Sequence, residues 1–271
     1  MKELAFFSRL AAMLIAAGAI VMLGPVGPVS AHGAEPTAAC VAPPELIRFT
    51  NPLKRVAEQI SAHQPVTIVA IGSSSTFGAG ASSPAMSYPS RLALELHSLL
   101  PRTSITVVNR GVNGETALAM LARFDRDVFT ARPDLVLWQV GSNAVLLGKP
   151  IVPTGSLISE GLRRLKAAGF DVVLINPQYA PKVIAKHDEH DVDLMDALIS
   201  TVARKMHVNL FKRFALMRYW RVTTGLPFSA FLSQDELHMN DWGYGCMAKL
   251  LAGAIAEAAL RMRRPLRVNP D

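Results

Sequence analysis

Cysteine is nearly missing from this chain: among 271 residues there are two, Cys40 and Cys246. That is too few for a cysteine-rich metal centre, and the pair has no metal-site or redox-motif spacing. An even count allows one disulfide in an exported chain. It equally allows two separate buried thiols, since free cysteine packs as a small hydrophobe. Long apolar runs are missing too. The longest, Leu10 to Leu23, covers about fourteen residues, short of the ~20 needed to span a bilayer. A Walker loop is excluded, because no Gly-Lys-Ser/Thr follows any glycine-rich turn. Nucleic-acid recognition motifs are absent as well. The net charge of +7 is spread along helix candidates such as Arg163, Arg164 and Lys166, with the densest run from Arg261 to Arg267. A solvated basic surface accounts for that pattern without a polyanionic partner.

What is present begins with a leader. Lys2 and Arg9 give a positive start, the short apolar run follows, and Val29-Ser30-Ala31 offers the small residues that a signal peptidase recognises. Residues 1–31 are therefore expected to be removed on export to the periplasm or beyond, with no stable membrane span left behind. Cleavage lowers the net charge by one, because Lys2, Arg9 and Glu3 leave together. Residues 32–43 are small and proline-containing and read as a flexible lead-in. Residues 44–271 read as one domain, since no linker or internal repeat divides them.

Within that domain, β-branched runs alternate with helical patterns. Strands are expected at Val66 to Ile71, Ile105 to Asn109, Leu135 to Val140, Val172 to Ile175 and Val208 to Phe211. The first four are almost wholly apolar, as in a parallel sheet covered on both faces. Helices are expected near Pro89–Leu100, Glu115–Thr130, Ser156–Ala168, Asp191–Met206 and Trp242–Met262, where apolar residues recur at three- and four-residue spacing. Strand–helix alternation implies right-handed crossovers and a three-layer αβα sandwich of the α/β class, with about five parallel strands. In such sheets ligands bind where the strands end, at their carboxyl edge.

Four loops stand at that edge. The first strand runs into Gly72-Ser73-Ser74-Ser75-Thr76-Phe77-Gly78, where a serine hydroxyl lies beside a helix start that offers N–H groups to negative charge. Taken alone, this is a serine-rich turn, a phosphate cradle or a nucleophile. Neither the dinucleotide fingerprint nor the Gly-x-Ser-x-Gly elbow fits, because Gly80 has no third glycine after it and Thr76 replaces the second one. The second strand ends in Asn109-Arg110-Gly111-Val112-Asn113-Gly114-Glu115, a turn able to aim N–H groups into a cleft. The third ends in Gly141-Ser142-Asn143-Ala144, where the Asn143 amide could donate to an oxyanion or cap the next element. Before the last helix comes Asp235-Glu236-Leu237-His238, with a carboxylate placed to fix an imidazole tautomer. His187-Asp188-Glu189-His190-Asp191 has metal-ligand composition but no recognisable zinc spacing, and reads as a solvated loop or helix start.

Taken in order, these four loops resemble the four blocks of the SGNH (GDSL-like) hydrolases, serine esterases and lipases with a flavodoxin-like αβα fold. The resemblance spans about Ile68 to Gly243. It implies Ser74 as nucleophile, His238 as general base and acid, and Asp235 as its orienter. It further implies an oxyanion hole made by the Ser74 and Gly114 N–H groups and the Asn143 amide, with no metal or organic cofactor. Two positions depart from the pattern. Ser73 replaces the family's Asp, and Ala144 replaces the Asp that often follows the oxyanion Asn, so another group must steady that loop. Gln178 and Tyr179, just past the fourth strand, are expected to touch substrate. The implied substrates are short-acyl or O-acetylated saccharide esters. Lysophospholipid or thioester hydrolysis, and a non-catalytic acyl-glycan-binding module, are the alternatives.

Overall fold

The structure is a computed structural model that describes residues 39–185 and 189–261. The expected leader, residues 32–38 of the lead-in, His187, Asp188 and the basic residues after Arg261 lie outside the described residues. Five parallel strands form one sheet: β1 (Val66–Gly72), β2 (Ile105–Gly111), β3 (Leu135–Gln139), β4 (Asp171–Ile175) and β5 (Asn209–Phe211). Their spatial order is β2-β1-β3-β4-β5, the doubly wound order in which successive strands are added first on one side of β1 and then on the other. This is the three-layer α/β architecture anticipated from the strand–helix alternation.

β1, β3 and β4 lie inside the sheet and bury nearly every side chain, as continuous apolar runs require. β2 differs, because it is an edge strand with half-exposed residues. Its apolar Ile-Thr-Val-Val run marks a strand but does not say how many faces are covered. On one face of the sheet pack the helices Lys54–Ser61, Tyr88–Leu99 and Asp241–Leu260; on the other pack Ala117–Ala122, Ile151–Ala167 and Glu189–Lys205. The last helix is rich in alanine and glycine, which lets its backbone come close to Tyr88–Leu99. It starts at Asn240, whose side chain accepts the Gly243 N–H at 2.9 Å.

Three helix expectations are revised. The region 115–130 is broken into Ala117–Ala122, Phe124–Asp127 and Phe129–Ala131. The next helix starts at Ile151 rather than Ser156, because Pro153 falls in the first turn, where its missing N–H costs nothing. Helix Lys54–Ser61 had not been anticipated; it buries Val56, Ala57 and Ile60.

Cys40 and Cys246 form a disulfide with Cα atoms 5.4 Å apart, resolving the choice between bridge and buried thiols. Next to it, Val41 O accepts the Trp220 indole N–H at 3.0 Å. Cys40 and Val41, which lie within the expected lead-in, are thus tied to the body of the domain. No helix among the described residues is long and apolar enough to cross a membrane.

Candidate active site

The carboxyl edge of the sheet gathers the expected residues. β1 ends at Gly72 and the short helix Ser74–Phe77 starts immediately, so Ser74 is its first residue. The Ser74 N–H has no intrahelical acceptor and no hydrogen-bond partner among the described residues. Ser73 is held from below by Gln139, the last residue of β3 and 1% exposed. Its Oε1 accepts the Ser73 N–H at 2.9 Å, the Ser73 hydroxyl at 3.0 Å and the Thr76 hydroxyl at 3.1 Å. Ser73, in place of the family's Asp, therefore keeps the turn through Gln139. The sequence carried one clue to this residue: it is the single polar side chain in an otherwise apolar strand.

β2 presses against the same turn. A Cβ on Gly111 would sit 2.0 Å from Phe77 N, so only glycine permits this approach. Val112 N–H donates to Gly72 O at 3.0 Å. Gly114 has φ of +76° and stands exposed, its N–H without a partner among the described residues. Arg123 clamps the two loops together, a role the sequence did not reveal. Its guanidinium pairs with Glu115 at 2.6 Å and Asp127 at 2.8 Å, and donates to Gly72 O at 3.2 Å. From the β3 loop, Asn143 Nδ2 donates to Glu115 O at 2.9 Å. One of its two amide protons thus ties its loop to that of Gly114, which leaves the other for a ligand.

The fourth loop folds back as a tight turn, with Ser233 N–H on His238 O at 2.9 Å and a bridge from Leu232 to Met239. Asp235 Oδ2 lies 2.5 Å from His238 Nδ1, and His238 Nε2 lies 2.7 Å from Ser74 Oγ. Asp235 Oδ1 accepts the Ser233 hydroxyl at 2.7 Å and the Leu237 and His238 N–H groups at 2.9 Å. Partial burial works against ionisation of this carboxyl. The bonds from the His238 ring and N–H, Ser233 and Leu237 outweigh it and hold Asp235 well below the usual carboxylate range. An ionised Asp235 can only accept, so Nδ1 carries the proton and Nε2 is left to receive the Ser74 hydroxyl. Of the other described histidines, His63, His97 and His207 are exposed. No group of three or more His, Cys, Asp or Glu that could hold a metal occurs among the described residues.

Gln178 and Tyr179 require correction. Both are buried, at 3% and 8% exposure. Gln178 Oε1 accepts from Ser142 Oγ and Arg213, and Tyr179 packs on Phe214 and Phe228 with ring centroids 5.4 and 6.0 Å apart. They support the layer beneath the site and do not face the cleft.

The family described as non-GDSL lipase-like matches residues 39–261. The chain belongs to that non-GDSL lipase-like family. Its name suits a loop in which Ser73 stands where a GDSL motif has Asp. No curated protein matches the chain significantly. Among solved structures, a two-domain esterase active on acetylated mannans aligns with a TM-score of 0.65 and 18% identity, over 78% of this chain and 56% of that one. The chain thus spans little more than half of that two-domain protein. An acetylxylan esterase from Geobacillus stearothermophilus aligns at 0.59 and 19%, over 70% of this chain and 94% of that one. A G-D-S-L family protein from Desulfitobacterium hafniense aligns at 0.54 and 19%, over 70% and 99%. At these identities the likeness establishes the fold.

Proposed function

We propose that this member of the non-GDSL lipase-like family hydrolyses carboxylic esters through an acyl-enzyme on Ser74. One observation carries the reading: His238 Nε2 is 2.7 Å from Ser74 Oγ while its Nδ1 is 2.5 Å from Asp235. Ser74 Oγ attacks the ester carbonyl as His238 takes its proton. The oxyanion is held by the Ser74 and Gly114 N–H groups and the Asn143 amide, donors of the kind worth ~3 kcal/mol each in barrier height. His238 then protonates the departing alcohol. Water, deprotonated by His238, attacks the acyl carbonyl and releases the acid, restoring the Ser74 hydroxyl. No step calls for a metal or organic cofactor.

The substrates proposed are short-acyl or O-acetyl saccharide esters met outside the cytoplasm. Fold neighbours that act on acetylated mannans and acetylxylan support the saccharide. The 1–31 leader and the Cys40–Cys246 disulfide support export, since disulfides persist in oxidising compartments. A second reading, a lipid-ester hydrolase of the lysophospholipase kind, draws on Phe77, Val112, Leu118 and Leu147. All four lie on the loops and helices around Ser74, Gly114 and Asn143, and all are exposed by 41% or more. Such apolar side chains suit a longer acyl chain.

The purified protein should release p-nitrophenol from its acetate ester and be labelled by a fluorophosphonate, while Ser74→Ala does neither. Undiminished turnover in Ser74→Ala sinks the assignment. A wild-type protein that neither turns over nor labels is a binding module instead. A panel of acetyl sugars, acyl lengths and lysolipids separates the two substrate readings.

A further inference from the structure

Beneath the four loops lies a charge that the mechanism above does not use. Arg213 begins the short helix after β5 and is 0% exposed, yet it has no carboxylate within ion-pair distance among the described residues. The ionisable groups that act on it electrostatically are the hydroxyls of Tyr244 and Tyr88. Burial pushes Tyr88 up to about 12, so it supplies no counter-ion at neutral pH. Burial also lowers Arg213, to about 10, which still leaves the guanidinium charged. Apolar side chains of similar volume commonly fill such places at equal or lower free energy than buried ions do. Stability alone therefore does not account for an arginine here.

Its hydrogen bonds show what it holds. Nε donates to Asn176 O at 3.0 Å, and Nη2 donates to Gln178 Oε1 at 2.9 Å and to Ser142 Oγ at 3.4 Å. Ser142 Oγ itself donates to Gln178 Oε1 at 2.5 Å. The loops that follow β3, β4 and β5 thus meet on one guanidinium, and the residue after Ser142 is Asn143. Ala144, where the resembled family often carries an Asp, is apolar and buried, so its side chain adds no polar bond to the backbone ones that close the turn. We propose that Arg213, through Gln178 and Ser142, is a positioning residue that fixes the Ser142–Asn143 turn so that the Asn143 amide meets the oxyanion. Arg123 does the corresponding work from the other side through Glu115, whose carbonyl Asn143 binds. The inference rests on the hydrolase reading above.

Steady-state kinetics, melting temperature and affinity for a trifluoromethyl ketone, which mimics the tetrahedral intermediate, test it on Ser142→Ala, Arg213→Met and Arg213→Lys. A positioning role lowers kcat by about tenfold in Ser142→Ala and about a hundredfold in Arg213→Met, the scale of a displaced oxyanion donor. KM stays within about twofold, and ketone affinity falls by the same factor as kcat/KM. Arg213→Met should melt somewhat earlier than wild type, because it leaves the buried Asn176 carbonyl without its donor, and Arg213→Lys should recover part of kcat. Folded Ser142→Ala and Arg213→Met proteins with wild-type kcat and ketone affinity overturn the proposal, as does a loss confined to KM. Should Arg213→Met fail to fold, Ser142→Ala decides alone. Ser74→Ala assayed in parallel separates the claims. If it is dead while these variants are unimpaired, only the positioning role fails; if it remains active, the hydrolase reading fails first.

Discussion

The two ends of the sheet use buried polar groups in opposite ways. At the amino end, Asp134 accepts the Thr67 N–H at 2.9 Å and pairs with Arg55 at 3.0 Å, while Asp171 accepts the Val56 N–H at 3.0 Å. These acids close local backbone groups and tie helix Lys54–Ser61 to the sheet. At the carboxyl end, Gln139, Arg123 and Arg213 hold loops in place, while the Ser74 and Gly114 N–H groups stay unpartnered among the described residues. The hollow of about 1050 Å³ beside β5, lined by residues including Arg204, His207 and Lys212, has no such convergence of nucleophile, base and free donors. Converging chemistry, more than the size of a hollow, marks the site.

Substitutions at the carboxyl end should change rate and those elsewhere stability. The largest expected effect is Asp235→Asn, which leaves His238 without a fixed tautomer. It should lower kcat by about 10³–10⁴-fold with a near-unchanged melting temperature; a loss below tenfold would erase the contrast. Next is removal of the disulfide by Cys40→Ala with Cys246→Ala. Releasing a loop spanning 206 positions should cost up to about 5 kcal/mol in denaturant unfolding by the chain-entropy argument, with kcat of the folded fraction preserved. Gln139→Ala should blur the division. It strands three buried donors, for about 2–4 kcal/mol of stability, and loosens the Ser73–Ser74 turn, so that kcat falls as well.

The smallest effect belongs to the amino end. Burial raises Asp171 to about 6, against backbone N–H bonds that lower it. A carboxyl whose folded pKa lies above its unfolded value stabilises fully below the unfolded value, near 4, and loses that contribution as pH rises through about 6. Asp171→Asn should therefore be more stable than wild type by about 1 kcal/mol at pH 7.5, after discounting for partial exposure. The difference should vanish near pH 4, and turnover should be equal at both pH values. An activity change in this variant would mean that the two ends are coupled.

The pattern of Val66–Gly72, Leu135–Gln139 and Asp171–Ile175 was legible because continuous apolar runs leave few alternatives to a covered parallel strand. Ser74, Asp235 and His238 were legible because each stands in a short motif at an element boundary. Gln139 and Arg213 were not, beyond the lone polar position that Gln139 holds in its strand, since their partners lie 35 to 71 positions away; Arg123 was not because, besides its near neighbours Glu115 and Asp127, it reaches Gly72, 51 positions away, and no local spacing encodes such pairings. Gln178 and Tyr179 misled for a related reason: past the end of β4 the two-residue alternation stops, and position alone no longer tells which way a side chain points.

Ser74 and His238 are 164 positions apart, with the whole sheet after β1 between them. A growing chain that has emitted Ser74 but not the Asp235–His238 turn carries an inert alcohol. On the mechanism proposed above, ester cleavage is therefore withheld from every fragment that lacks the Asp235–His238 turn, which makes turnover a readout of how far the fold has been completed.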